Sequence, residues 1–481
     1  MLIVIVYLKT LAPTVIGMDS AELTLGAYTL GIVHAPGYSV YLLLGHLFTY
    51  FPLGDVGYRL NLFSALAGTG SALWVILQVE RLTLHRFAAV TAGLSYAFCF
   101  YHWSMSVIAE VYTLQAMLLS VILGALWQWQ AVGTQRWLAG AVLVSGLAFA
   151  NTPASVLWWP GLFWLFWRTP LRIQLHLADY GRLALILVCA IMALIYLPLR
   201  SAAHPQFVQV GYFDEWATFH ALDLTQWTNG LWYISGQQFA SFIFGYTTWA
   251  AYGREGLHFL HWLLIGFGGV GLPLGIWGFG HLWHKARNWA VGLALIMLFH
   301  TVFFVGYRAV DKETMFLPVF LLWAVCMGVG MVELCKSIPH PGQWVLGLLP
   351  LGLLLINYSY CDVSDFDYPL TIAAFRLKEA AQDAIFLATW GDAEAMQYHQ
   401  ITQNLRPDVR VINIFFTNPK TLDKLVAHQL DLGKAIYSTH ATAVLSGSYR
   451  FRPLLYRYQL MPKALPITPE PVCSTTEIRC R

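Results

Sequence analysis

MDSAELTLGAYTLGIVHAPGY, residues Met18–Tyr38, follows an apolar run, Met1–Ile16, that approaches the length of a membrane span at about 1.5 Å rise per residue. Two carboxylates, Asp19 and Glu22, come directly after that run. Their spacing puts both on one face if a helix starts here, with Asp19 or Ser20 as its cap. His34 follows, and Pro36–Gly37 then break the chain into a turn. Acids and a histidine at the mouth of a span fit either a solvated loop or an acid/base site at a membrane surface.

The remaining composition bears on that choice. The 481-residue chain is 58% hydrophobic and 11% charged, against about 25% charged in a soluble globule. This is the composition of a polytopic membrane protein. A net charge of +3 says little about partners, because charges in such chains sort by loop. The first apolar run lacks a polar start and a small-residue cleavage site, so it is expected to stay in the chain. None of the seven cysteines forms a CxxC pair. Cys99, Cys189 and Cys326 sit in apolar runs and read as small core residues. Cys473 and Cys480 lie in the polar tail, where an extracytoplasmic setting would permit a disulfide.

Apolar segments fall at about 1–17, 58–79, 86–103, 106–131, 137–152, 153–168, 183–199, 258–283, 288–306, 315–334 and 341–358, which predicts about eleven spans. Residues 36–51 are apolar but short and bounded by prolines, and read as a helix lying on the membrane surface. Lys and Arg cluster at Arg81, Arg86, Arg136, Arg168, Arg172, Arg182, Lys285, Arg287 and Lys336, which places those loops inside. Loops 18–57, 200–257 and the tail after about 359 then face outside. Asp19, Glu22, His34, His102, Glu110, Asn151, Arg200, Arg308, Asp311, Lys312 and Glu313 collect at outer ends. Glu110, in IAEVYTL, falls a turn or two inside the fourth predicted span, where a carboxylate is costly unless it faces a partner or a wet cavity. A cavity open to the outer face accounts for this clustering better than scattered structural pairs do. The aromatic-rich loop 200–257 reads equally as an interfacial belt or as a platform for sugar rings and prenyl chains.

Charge returns after Asp362. Leu370–Ala381, Asp392–Asn404 and Thr421–Gln429 read as helices, and Ala384–Thr389, Val409–Phe416 and Ala435–Tyr437 as strands. Strand–helix–strand order predicts a small α/β domain with a parallel sheet. Trp390, Gly391 and Asp392 would then stand at a strand's carboxyl end, where such sheets bind ligands. The predicted division is a membrane domain over 1–358 and an extracytoplasmic domain over 359–481. No GxGxxG, Walker, HExxH or GxSxG motif occurs, and nothing points to a nucleic-acid partner.

Asp19-Ser-Ala-Glu22, His34-Ala-Pro-Gly37, Tyr58-Arg-Leu-Asn61, Ala109-Glu-Val-Tyr112 and Asp311-Lys-Glu313, with Trp390–Asp392 and Arg406–Asn413 in the tail, occur in an order that resembles one family. It groups uncharacterised bacterial polytopic proteins with a eukaryotic protein O-mannosyltransferase, a branch of the GT-C glycosyltransferase superfamily. The tail is short and lacks long helical repeats, so acceptor handling is expected to differ. The resemblance implies an all-α, GT-C-like membrane domain, a polyprenyl-phosphate monosaccharide donor, a protein, glycan or lipid acceptor, and an acid in the first outer loop as base. Asp19 or Glu22 would supply that base, with Asp19 preferred and Glu22 and Glu110 in support. His34, Tyr112, Arg200, Arg308, Asp311 and Lys312 are the expected substrate-binding residues, the cations holding the donor's phosphate. Asp19, Glu22 and Asp311 offer oxygens to a divalent metal, but no ligand spacing demands one. The setting implied is the inner or plasma membrane, with the active face extracytoplasmic. The competing class is a polytopic transporter or flippase, which calls for broken helices, ionisable groups near the midplane and often an internal repeat.

Single cysteines placed in loops 18–57 and 200–257 of a cysteine-free variant should react with an impermeant maleimide in intact cells. A cysteine within 169–182 should react only after lysis; the reverse pattern inverts the orientation.

Overall fold

A computed structural model describes residues 1–17 and 19–462; Cys473 and Cys480 lie outside the described residues. The chain divides into two compact units, one of residues 1–211 with 221–370 and one of residues 212–220 with 371–481.

The first unit is helical. Among the described residues, six helices are long and apolar enough to cross a membrane: Val56–Thr83, Val111–Val132, Leu177–Ala202, Arg287–Gly306, Lys312–Ser337 and Gly342–Cys361. Trp249–Gly266 and Gly271–Lys285 make a seventh if taken as one span, bent by 97°. Eleven full spans are therefore not seen, because hydropathy does not register breaks inside an apolar run. Met1–Ile16 holds only the helix Leu2–Thr10, which stops before Pro13. Residues 86–103 split between Arg86–Ala97 and Phe100–Ser106. Residues 153–168 split into the 3-10 helix Pro153–Trp158 and the helix Trp159–Trp167. The bend at 267–270 uses Gly268 and Gly269, both at positive φ, a conformation that costs glycine little. The short apolar stretch after Pro36 is the helix Ser39–Phe48.

Burial ranks the spans. In Lys312–Ser337 the apolar window is 89% buried, whereas in Leu177–Ala202 and Gly342–Cys361 it is 17%. A helix apolar all round and buried all round is central, and its lipid-facing neighbours are peripheral. Cys326 is accordingly buried, but Cys189 lies on an exposed face of the peripheral Leu177–Ile191, a correction to its reading as core. An apolar run does not separate a lipid-facing position from a buried one. Leu317–Ser337 and Gly271–Lys285 approach closely through small residues. A Cβ on Gly278 would lie 1.8 Å from the Cys326 carbonyl oxygen, and one on Gly330 would lie 2.0 Å from that of Leu274.

The second unit is the α/β element. Its sheet runs Arg410–Asn413, Ile385–Ala388, Ile436–Ser438, Arg457–Pro462, Tyr449–Leu454 in spatial order. The first three strands are parallel, with Ile385 opposite both Arg410 and Ile436, and the last two form an antiparallel ribbon that the sequence reading omits. Ile385–Ala388 is buried throughout, as expected of a strand covered on both faces. Ala217, from the excursion 212–220, enters the same core as Ile385, Leu387, Ile412 and Leu425, and its carbonyl accepts from Arg410 Nη1 at 2.8 Å.

Gly278→Ala should destabilise the first unit by about 1–3 kcal/mol through overpacking. Gly280→Ala, on the same helix with nothing within 4 Å of the added Cβ, should leave the melting temperature of the detergent-purified protein unchanged.

Candidate active site

Asp19 opens the helix Asp19–Thr29, and Glu22 completes its first turn, where the helix dipole favours acids. The segment entering this helix is fixed by Asn61, whose Nδ2 donates to the Ala12 and Thr14 carbonyls, each at 2.9 Å. Asp55 caps the helix Val56–Thr83 through the Tyr58 amide at 2.8 Å. The Tyr58–Asn61 motif thus positions Asp19 from outside the site.

Glu22 is fully buried and pairs with His34. It accepts from the His34 backbone N–H and lies 2.9 Å from His34 Nδ1. Asp19 Oδ2 stands 4.0 Å from His34 Nε2, and its side chain is 24% exposed. Tyr38 Oη reaches the same Nε2 at 3.3 Å. The loop carrying His34 is pinned from several sides. Tyr233 donates to the Val33 and His34 carbonyls, Gln238 Oε1 accepts from the Ala35 N–H at 2.9 Å, and Tyr196 donates to the Gly31 carbonyl at 2.6 Å.

Glu110 lies just ahead of Val111–Val132 as its cap, accepting from the Val111 N–H at 3.3 Å, rather than inside the span. Its charge couples to Asp19, Asp311 and Glu22. Tyr38 and Tyr112 feel Asp19 and Glu110 as well. Asp19, Glu22, Glu110, Asp311, His34, Tyr38 and Tyr112 thus share one electrostatic locale.

Burial raises the Asp19 carboxyl; His34 opposes the rise and Glu22 and Asp311 add to it, leaving it at about 6. Burial alone would lower the His34 imidazole, but Glu22, Asp19 and Asp311 together raise it to about 9. Burial, then Asp19 and Asp311, raise Glu110 and favour its neutral form. At neutral pH this is an ionised Asp19 facing an imidazolium.

The expected cations are placed elsewhere. Arg200 donates from Nε to the Leu30 carbonyl at 2.6 Å and from Nη2 to that of Thr29 at 3.2 Å, bracing the His34 loop. Lys312 is buried in an ion pair with Glu255 and donates to Tyr246 Oη at 2.9 Å. Arg308 is exposed. These three do not converge on one partner. His102 bridges Tyr7 Oη and Ser71 Oγ, each at 3.0 Å, and Asn151 accepts from the Tyr41 N–H at 2.9 Å; neither joins the cluster. Tyr38, Tyr196, Tyr233, Gln238 and Glu255 escape sequence reasoning. Only Tyr38, one helical turn's spacing past His34, carried a local signal. Asp19, Glu22 and His34 also offer ligand atoms within 4.8 Å of one another, a set with the donor chemistry for a cation.

Residues 19–174 match the family described as Protein O-mannosyl-transferase TMEM260 N-terminal domain. The Mus musculus protein O-mannosyl-transferase TMEM260 is 29% identical over 202 residues, 41% of this chain and 29% of the mouse protein. The Dictyostelium discoideum protein of the same description is 23% identical over 122 residues, 25% of this chain and 15% of that one. The chain thus spans under a third of the length of these curated relatives. Among solved structures, ArnT from Cupriavidus metallidurans bound to undecaprenyl phosphate aligns with a TM-score of 0.61 at 13% identity, over 95% of this chain and 96% of ArnT. The apo form of ArnT aligns at 0.58 and 12% identity, over 95% of each chain. The fold is shared with ArnT. The likeness read from the motifs holds for residues 19–174 by sequence and for nearly the whole chain by fold, and the chain is an integral membrane protein.

His34 is protonated more readily in the fold than in the unfolded chain. Its contribution to stability is therefore complete below about 6.5 and lost as pH rises through about 9. The loss is at most about 3 kcal/mol at 1.36 kcal/mol per pKa unit. Melting curves of the purified protein between these pH values should show the decline, and His34→Gln should flatten it.

Proposed function

We propose that this chain transfers a monosaccharide from a polyprenyl-phosphate donor to an acceptor hydroxyl at the extracytoplasmic face of the inner or plasma membrane. The carrying observation is the His34 imidazole set between two carboxylates in different environments, the buried Glu22 and the partly exposed Asp19. Asp19 acts as the base: it is partly exposed, and a group near 6 is ionised at neutral pH yet still basic. Glu22 pairs with His34 through both the backbone N–H and the ring and orients it. Glu110, which burial and the neighbouring acids hold toward its neutral form, is not the base. As the acceptor oxygen attacks the anomeric carbon, its proton passes to Asp19. The new C–O bond forms as the bond to phosphate breaks, and the prenyl phosphate leaves with the electron pair. The His34 imidazolium stabilises that departing charge.

The names of the mouse and Dictyostelium relatives favour mannose as the sugar and a protein as acceptor, with a glycan acceptor as the second choice. The undecaprenyl phosphate bound to ArnT favours a prenyl-phosphate donor. Asp19, Glu22 and His34 would hold a divalent cation, which would supply a Lewis acid for the phosphate. Binding it requires the proton to leave His34, so its occupancy would rise with pH. A transporter gains no support from the bent helix pair, because Phe267–Val270 at its break carries no ionisable residue.

In proteoliposomes with a radiolabelled undecaprenyl-phosphate mannose donor, Asp19→Asn should lower transfer about 10²–10⁴-fold. The wild-type rate should rise with pH through about 6, and the variant should lack that limb. Full activity in Asp19→Asn with none in Glu22→Gln would assign the base to Glu22, and full activity in both would sink the proposal.

A further inference from the structure

We infer that the C-terminal unit carries a carbohydrate-recognition site at the carboxyl ends of two adjacent parallel strands, just beyond Thr389 and Thr439, where the Thr389 N–H donates to Thr439 Oγ1 at 3.4 Å. The topology sets the place. After Ile385–Ala388 the chain runs through the helix Trp390–Gln403 to the strand on one side, Arg410–Asn413. After Ile436–Ser438 it runs to the other side, to the antiparallel ribbon. The two connections diverge beyond that bond, the position at which open α/β sheets hold ligands.

The groups gathered there suit a neutral polyol. Asp392 Oδ1 is taken by Arg376 Nη1 at 2.6 Å, which balances the charge. Asp392 Oδ2 accepts from Thr389 Oγ1 at 3.2 Å and lies 3.5 Å from His440 Nδ1, so this oxygen keeps acceptor capacity at the strand ends. The His440 side chain is 60% exposed. On the strand that flanks Ile385–Ala388 on its other side, Asn413 caps the following turn through its Oδ1, and its buried Nδ2 finds no acceptor among the described residues. The Trp390 and Phe415 rings meet at 5.1 Å between centroids, tilted by 60°, with Phe415 54% exposed. A helix N-terminus commonly selects phosphate, but Asp392 in its first turn opposes an anion. Acceptor oxygen, imidazole and amide donors and an aromatic face together match the hydroxyl edge and the C–H face of a pyranose.

This site goes beyond the transfer reaction and does not rest on it. The test is saturation-transfer NMR of the full chain in lipid nanodiscs, free of sugar detergents, with methyl α-mannoside, methyl α-glucoside and methyl β-galactoside as probes and inorganic phosphate as competitor. At least one glycoside should bind, and Trp390→Ala and His440→Ala should each weaken it about tenfold. Phosphate should not displace it. Both changed side chains are at least partly exposed, and melting curves confirm folding. Absence of glycoside binding, binding unaltered in both variants, or displacement by phosphate would overturn the site. Turnover is not read, so any of these outcomes leaves the transfer reaction untouched.

Discussion

The contact on which the membrane unit's site depends is the buried pair of Glu22 and His34. A carboxylate with no exposed surface is tolerated only when its oxygens are matched, and here the same residue matches both, through its backbone N–H and its ring. This ties a helix's first turn to a loop twelve residues later in the chain. The loop then has one permitted course, which Tyr196, Tyr233, Gln238 and Arg200 reinforce through hydrogen bonds with its backbone. Without the pair, those braces would hold a loop with no reason to face Asp19.

Once His34 is fixed, the carboxylates differ by surroundings rather than by type. Glu22 is consumed by the pair. Asp19, beside the ring and partly exposed, is raised only to about 6. Glu110, deeper and facing two other acids, is pushed toward neutrality. Environment thus gives similar carboxyl groups different proton affinities, and the proposed transfer uses that difference.

The cations illustrate the same economy. Arg200 and Lys312 are spent on architecture: the first holds backbone carbonyls of the His34 loop, and the second neutralises Glu255 inside the helical unit. In a water-poor interior a cation is placed wherever an uncompensated acid or carbonyl requires it. The imidazolium of His34 is therefore the positive charge in direct contact with the carboxylate cluster among the described residues.

The amino-acid order alone determined the membrane class, the helix start at Asp19–Glu22, the helical membrane unit and the three parallel strands near Ile385, Arg410 and Ile436. All of these rest on local signals, namely long apolar runs, turn residues and the switch from helical to strand periodicity. The different environments of the carboxylates, the placing of Glu110 outside the span and the commitments of Arg200 and Lys312 came only with the tertiary structure. So did the breaks that reduce eleven apolar runs to six or seven spans, the exposed face of Cys189 and the entry of Ala217 into the second unit's core. Each depends on which groups distant in sequence meet in a low-dielectric interior, and that meeting leaves no periodic trace along the chain.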